Sequence, residues 1–590
     1  MGGRGRVRPR SRMHGIEGGR PVGRRARMSG GTAVGSQEFP PVGTFPQEDE
    51  LPPSGTTRRT RDASSADLVA NGSATTDPSP APRHRIRRRL IPLDGHGDIR
   101  LGVLAALLCM IGSWYVSTWL DESATAHIIS YPPAQMNGLF TWTDLVYAPY
   151  YYLMHYWTAL VGINPFTLRL PSVLAVGVGT AAMAATGRVL VARRGQLLYA
   201  ACFALLPRVM AMGIEARPYA FAAMFVACAV WLVVLIGRRP TAWRVIGLTA
   251  AMALAVYAQM YAVLPVVGLT LVGLLTIRTR HRWLVAAAAV AAGTLCLPFG
   301  VAAVGQLRQV GWIADLSHDW FDHALVESWA ASRTNVNVTA TDLVPHVIAV
   351  TMAVLAALLV VLALVSRFSG TAAERAGRRP GVARMLWAMV PIVLTVVVLW
   401  TYSLLATDVL LARYFTAAAP FYAVVLAEAT MALRWRWARV VPVLLLVGAL
   451  ALAGFQRRPY AKVTWEDYSL LATVMRTEAQ PGDGLLTERN PQPNENYQVA
   501  LACDPDAFTH VINLAQPNKP PLDGPFRRDP PRIRLVTYPQ LPERIWLAVP
   551  FGQWSEYGQQ LEHLGYQPTL TERGPQGDPG GHAITLWQRR

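Results

Sequence analysis

The stretch LGVLAALLCMIGSWYVSTWLDE, residues 101–122, joins a long apolar run directly to two adjacent carboxylates. From Leu101 to Trp119 the run has roughly the 20 residues a helix needs to cross a hydrocarbon core. Asp121 and Glu122 follow where the run meets water. Neighbouring acids repel, so one of the two pKa values rises unless a cation or hydrogen-bond donors compensate. The pair is therefore a candidate base or cation site. The plainer alternative is a solvated helix end, since acids are common at the edges of spans.

N-terminal to this stretch, residues 1–97 are rich in Arg, Gly, Pro, Ser and Thr and lack sustained apolar periodicity. Such a segment cannot bury enough surface to fold, and a disordered Arg-rich cytoplasmic tail is expected. It carries no early apolar stretch with a small-residue cleavage site, and Arg83-His84-Arg85-Ile86-Arg87-Arg88-Arg89 abuts the first span. Those charges hold the N-terminus in the cytoplasm and suit anionic lipid headgroups. The first span then runs outward, which puts Asp121 and Glu122 on the non-cytoplasmic side.

C-terminal to it, apolar runs alternate with arginine clusters, giving further spans at 170–190, 197–212, 219–236, 245–257, 262–277, 284–304, 343–365, 385–405, 414–433 and 440–455. With the first, about eleven transmembrane helices are expected. The membrane region covers 98–455, with external loops at 121–168 and 305–342. In the first loop, Tyr150-Tyr151-Tyr152-Leu153-Met154-His155 suits short helices lying at headgroup level.

Composition agrees with this layout. The 590 residues are 52% hydrophobic with a net charge of +18, and the apolar residues gather in blocks. This is an all-α polytopic membrane protein, and positive-inside topology accounts for the charge without nucleic acid. Cys109, Cys202, Cys228 and Cys296 lie in apolar runs and Cys503 stands alone, so no disulfide framework or zinc spacing is present. Residues 456–590 turn polar and proline-rich and read as a soluble, non-cytoplasmic α/β domain. A helix is expected over Trp465–Met475, a turn at Pro481-Gly482-Asp483, and strands from Gly484, over Arg544–Val549 and over Ala583–Trp587.

With the topology set, ionisable residues not needed as lipid anchors share the outer face: Asp121, Glu122, Asp144, Glu215, Arg217, Asp408 and Arg413. Arg217 and Arg413 offer planar forks suited to phosphate oxygens. Alternatively, Glu215 pairs with Arg217 and Asp408 with Arg413, or the arginines reach for headgroups.

These motifs resemble the GT-C superfamily of polyprenyl-phosphate-sugar-dependent glycosyltransferases, and more closely its protein mannosyltransferase and lipid A aminoarabinose transferase-like group in actinobacterial form. The resemblance rests on Trp119-Leu120-Asp121-Glu122, Asp144 before the tyrosine run, Arg169-Leu170-Pro171-Ser172, Leu206-Pro207-Arg208, Gly213-Ile214-Glu215-Ala216-Arg217-Pro218-Tyr219 and Ala412-Arg413-Tyr414-Phe415. Trp465-Glu466-Asp467-Tyr468 is similar to the start of the family's external domain. Relatives usually carry histidine shortly after the position of Asp144, where this chain has Tyr147.

The resemblance implies an inverting transferase that moves a sugar, mannose as first expectation, from a polyprenyl-phosphate donor to a hydroxyl on a cell-envelope glycan, lipid or protein. Asp121, Glu122 and Asp144 are then the catalytic candidates, with Asp121 the base. Arg217 and Arg413 bind the donor phosphate, and Glu215, Tyr219, Tyr414 and His155 support them. Glu122 and Asp144 could hold a divalent cation, although no pattern demands one. A transporter or flippase, whose charges would line a pathway nearer the bilayer midplane, is the alternative, as is an inert membrane scaffold.

Overall fold

A computed structural model describes residues 95–306, 313, 319–332, 343–459, 461–462, 468–488, 501–514, 534–550, 555–573 and 582–589. The expected tail up to residue 94 and the Trp465-Glu466-Asp467 motif lie outside the described residues.

Helices stand at each of the stretches expected to span, covering the first of them only as far as Met110. They are α1 (Gly95–Met110), α5 (Pro165–Val191), α6 (Arg193–Ala204), α7 (Pro207–Gly213), α8 (Tyr219–Arg238), α9 (Ala242–Ala258), α10 (Val263–Thr276), α11 (Arg282–Val304), α12 (Leu343–Phe368), α13 (Ala372–Leu405), α14 (Ala419–Ala432) and α15 (Val440–Phe455). Between α1 and α5 lie the short helices α2 (Leu120–Ile129), α3 (Pro133–Phe140) and α4 (Ala148–Val161). Among the described residues, seven helical stretches are long and apolar enough to cross a membrane, counting with α14 and α15 the 3-10 turns that lead into them (Ala412–Ala432 and Trp437–Phe455), and an eighth span forms if the bent pair α6–α7 counts as one. The remaining expected spans are α1, α9 and α10, apolar helices of 16, 17 and 14 residues. Val290, Val301, Leu275 and Val443 point outward from their helices. Apolar faces of this kind need lipid around them, and the protein is a multi-pass membrane protein.

The first run is not one helix to Trp119, as its composition suggests. α1 stops at Met110, and residues 111–119 turn irregularly through Gly112 at φ +80° before α2 begins at Leu120. The freed carbonyls are captured by side chains from elsewhere. Arg457 donates to Ile111 O at 2.7 Å, and Arg169 of α5 donates to Ser113 O, Val116 O and Ser117 O at 2.6, 2.7 and 2.9 Å. Irregular backbone beside a membrane helix persists where side chains take up its freed carbonyls in this way. α1 and α5 themselves meet at glycines: a Cβ on Gly102 would come within 2.6 Å of Gly177 O, a contact only a bare backbone allows.

The α6–α7 break follows from Pro207, which lacks an N–H and forces Leu206 into an extended conformation, φ −63° and ψ 121°. The chain bends there by 60°. α13 begins earlier than its apolar run, at Ala372, because Thr371 and Glu374 form a capping box that extends the helix through the arginine cluster.

The C-terminal region folds as a five-stranded sheet of order β2-β1-β3-β5-β4, from β1 (Gly484–Thr487), β2 (Ile512–Asn513), β3 (Arg544–Pro550), β4 (Tyr566–Arg573) and β5 (His582–Arg589). β1 runs parallel to β2 and β3, while β5 is antiparallel to both β3 and β4. Strand alternation sends Leu485, Trp546, Ala548 and Ile584 to one face, where they pack on Leu471, Val474 and Met475 of α16 (Tyr468–Thr477). Leu486, Ile545, Leu547 and Trp587 face the other way onto Tyr557 and Leu561 of α17 (Glu556–His563). The domain docks beside α2: Thr118 N donates to Ser469 Oγ at 2.7 Å, and Cys503 Sγ donates to Ser123 Oγ at 3.2 Å.

Candidate active site

The two adjacent acids face different partners because α2 turns them about 100° apart. Glu122 points into the protein. Its Oε1 accepts from Arg169 Nε at 2.8 Å, Ala216 N at 2.9 Å and Lys462 Nζ at 3.1 Å, and its Oε2 accepts from Arg169 Nη2 at 2.6 Å. Burial pushes its carboxyl up, but Arg169, Lys462 and these donors overcome that and hold it at about 2.

The loop 214–218, between α7 and α8, is fixed from three sides. Ser172 of α5 donates to Glu215 O at 2.8 Å, Thr125 of α2 donates to Ala216 O at 3.1 Å, and Lys462 donates to Ile214 O. Arg217 is thereby aimed at Asp121, with its Nη2 at 3.1 Å from Oδ1. From a 3-10 turn (Ala412–Ala418) leading into α14, Arg413 Nη1 donates to Asp121 Oδ2 at 3.0 Å. One carboxylate thus bridges two guanidiniums delivered by distant segments. Burial raises the Asp121 carboxyl, and the charges of Arg217 and Arg413 outweigh it, holding the group below its ordinary range.

The alternative pairings Glu215–Arg217 and Asp408–Arg413 are not seen; both arginines turn to Asp121. Asp408 instead accepts from Leu410 N at 2.9 Å. Glu215 has an Oε1 buried without a hydrogen-bond partner. Burial and its acidic neighbours lift its carboxyl to about 6, with the Lys462 charge opposing. It lines a cavity of about 40 Å³ with Trp119, Arg208, Arg413, Gln456 and Lys462, large enough to admit water.

Aromatic rings surround the two guanidiniums. Tyr147 lies under the Arg217 guanidinium at 4.5 Å, and its hydroxyl is 3.3 Å from that of Tyr219. Trp119 sits 5.6 Å from the Arg413 guanidinium. Arg217 also donates to Tyr151 Oη at 2.9 Å, and Tyr151 donates to Asp144 Oδ2 at 3.4 Å, so Asp144 joins the cluster through a tyrosine. Asp144 adopts the left-handed conformation, φ 57°, at the turn into the next helical segment. Tyr414 stacks on Tyr261 and offers its carbonyl to Gln259 at 3.0 Å. His155 is engaged elsewhere, with Nδ1 2.8 Å from Ile129 O.

Two further residues, which no candidate role in the sequence singles out, complete the cluster: Arg169 and Lys462, both on Glu122. The available signal for Lys462 was rarity, since Lys462 and Lys519 are the lysines of an arginine-rich chain.

Residues 149–302 match the family model of dolichyl-phosphate-mannose-protein mannosyltransferases. No curated protein matches the sequence. Among solved structures, the chain is similar to ArnT from Cupriavidus metallidurans bound to undecaprenyl phosphate, at 12% identity and TM-score 0.37 over 84% of this chain and 98% of that one. It is also similar to the oligosaccharyltransferase AglB from Archaeoglobus fulgidus in complex with an inhibitory peptide and a dolichol-phosphate, at 12% identity and TM-score 0.35 over 72% and 65%. The family match lies across the helices that present Arg217, and over residues 149–302 this multi-pass membrane protein is similar to the dolichyl-phosphate-mannose-protein mannosyltransferases.

Proposed function

We propose that the protein transfers a sugar, mannose in the first instance, from a polyprenyl-phosphate donor to a hydroxyl acceptor on the non-cytoplasmic side of the membrane. The observation that carries this reading is the bridge Arg217–Asp121–Arg413, with one guanidinium on each carboxylate oxygen. Two cations converging on one anion at the end of the helical bundle suit a lipid phosphate that cannot leave the bilayer.

In this mechanism Asp121 takes the proton of the acceptor hydroxyl. The acceptor oxygen forms a bond to the anomeric carbon, and the bond from that carbon to the phosphate oxygen breaks with its electron pair leaving on polyprenyl phosphate. One displacement gives inversion. Arg217 and Arg413 stabilise the charge developing on the leaving oxygen, the preorganised electrostatics that often contribute most to catalysis. Donor binding also primes the base. A phosphate competing for both guanidiniums weakens their hold on Asp121, and the carboxylate becomes a better proton acceptor.

Glu122, with both oxygens engaged by Arg169, Lys462 and Ala216, is assigned to positioning: it holds α2 and the 214–218 loop in register. Asp144 acts through Tyr151 on the orientation of Arg217. The experiment is transfer of radiolabelled mannose from polyprenyl-phosphate mannose in membranes holding wild type or Asp121→Asn at matched levels. Transfer by the wild type that vanishes in the variant supports the reading, and equal transfer by both removes Asp121 from the mechanism.

A further inference from the structure

Away from the Asp121 bridge, three ligand-type side chains converge. Asp322 and Glu327 lie on one helical turn of segment 319–332, and His346 lies in the first turn of α12. One donor atom from each falls within 4.8 Å of the other two. We propose that Asp322, Glu327 and His346 bind a single divalent transition-metal ion, which fastens segment 319–332 to the start of α12.

The backbone between the two acids is wound for the purpose. Residues 322–327 form a π-helix, in which each turn closes from i to i+5. In an α-helix side chains five apart point about 140° away from each other. The wider π turn brings Asp322 and Glu327 towards one side, facing His346. π turns are rare and tend to occur where function needs a side chain re-aimed.

Neither imidazole nitrogen closes a hydrogen bond to the acid it faces, and an ion would take one of the two nitrogens with an oxygen from each acid, a set of donor atoms that lies within 4.8 Å. His346 Nε2 is 3.7 Å from Asp322 Oδ1, and His346 Nδ1 is 3.5 Å from Glu327 Oε1. Charge-assisted hydrogen bonds close to about 2.7–2.9 Å. Ligand atoms about 2.0–2.1 Å from a tetrahedral ion stand about 3.4 Å apart. His346 Nδ1 is buried with no hydrogen-bond partner. The two acids leave only 20% and 2% of their side-chain surface exposed.

Outer contacts hold Glu327 in place. Ser332 donates its N–H to Oε2 at 2.8 Å and its hydroxyl to Oε1. This return is possible because Ala331 takes φ +48°, a conformation that only strong surrounding contacts sustain in a non-glycine residue. Partners of this kind orient a ligating carboxylate. One imidazole with two carboxylates suits Zn2+ or Mn2+ and leaves coordination positions for water. Ala331 also lines the cavity beside Glu215, and its carbonyl accepts from Gln456 Nε2 at 3.0 Å, so the ion would steady one wall of the active site from outside it.

The test reads metal, not transfer, and so is independent of the proposed activity. The full chain, carrying an affinity tag without histidine, is stripped with EDTA in detergent, dialysed and titrated separately with Zn2+ and Mn2+ by calorimetry. Bound metal is counted by mass spectrometry, and thermal midpoints are recorded with and without the ion. The expected result is one ion per wild-type chain with a raised midpoint. Affinity should fall at least about tenfold in His346→Gln and in Asp322→Asn, because even outer partners of a ligand are worth roughly 10- to 100-fold. If His346→Gln fails to fold, Asp322→Asn decides. The proposal is overturned if the wild type takes up no stoichiometric Zn2+ or Mn2+, or if a folded variant binds as the wild type does.

Discussion

Arg413 stands 292 residues beyond Asp121 in the chain, yet donates to its Oδ2 at 3.0 Å, on the oxygen Arg217 does not use. An acid whose two oxygens are claimed by two cations is ionised and ready, but restrained, until another anion displaces one of them.

Asp121→Asn keeps the size and removes the proton acceptor. Transfer per folded protein should fall about 10²- to 10⁴-fold, the usual contribution of a positioned base, and the thermal midpoint should fall as well because Arg217 and Arg413 lose the anion between them. Initial rates from polyprenyl-phosphate mannose, normalised to protein in the membrane, check this.

Arg217→Lys keeps the charge but loses the planar fork that reaches Asp121 and Tyr151 together. A loss in rate approaching that of removing one oxyanion donor, about 10²- to 10³-fold, is expected. A rate within a few-fold of wild type would show that a point charge suffices at this position.

Glu122→Gln should cost folding. Its oxygens face a fully buried Arg169 and a buried Lys462, and losing one partner of a buried ion pair typically destabilises by about 3–5 kcal/mol. Thermal unfolding in detergent should show a large drop, with residual specific activity in whatever fraction stays folded. The same variant with a normal midpoint and no activity would instead make Glu122 a reacting group.

Glu215 sets a pH dependence. Its folded carboxyl lies near 6, above the ordinary 4.5, so it binds more protons folded than unfolded between those values. Its contribution to stability is complete below about pH 4.5 and is lost as pH rises through about 6, amounting to about 2 kcal/mol. Midpoints measured across that window should fall with rising pH in the wild type and lose that slope in Glu215→Gln.

Tyr147→Phe keeps a ring under Arg217 and should retain most activity, whereas Tyr147→Ala removes a cation–π contact worth about 0.5–2 kcal/mol and should slow transfer. The two rates side by side separate the ring from the hydroxyl it places near Tyr219.

Much of this was legible in residue order. Hydropathy located every long helix, because lipid demands apolar runs of set length and arginine marks their ends. Asp121, Arg217 and Arg413 could be chosen because charges at span ends are costly and few. Their mutual pairing was not legible, since nothing local in Arg217 says whether it turns to Glu215 two residues back or to Asp121. The early end of α1 escaped for a related reason. Residues 111–119 are as apolar as a helix, and what unwinds them is Arg169 and Arg457 taking their carbonyls from remote positions. In the C-terminal domain β2 was too short to read, and β4 opens Tyr566-Gln567-Pro568, where proline masks a strand that lies at the sheet's edge.

Lys462 comes after the last membrane helix, in chain that composition alone would give to the soluble domain, yet its ammonium rests on Glu122. The seam between the two halves therefore does not coincide with the end of α15. An exchange of C-terminal domains between relatives would have to be cut beyond residue 462 to leave the membrane half its own lysine. A chimera cut at 455 would import a foreign linker beside Glu122, at the cavity that Lys462 lines.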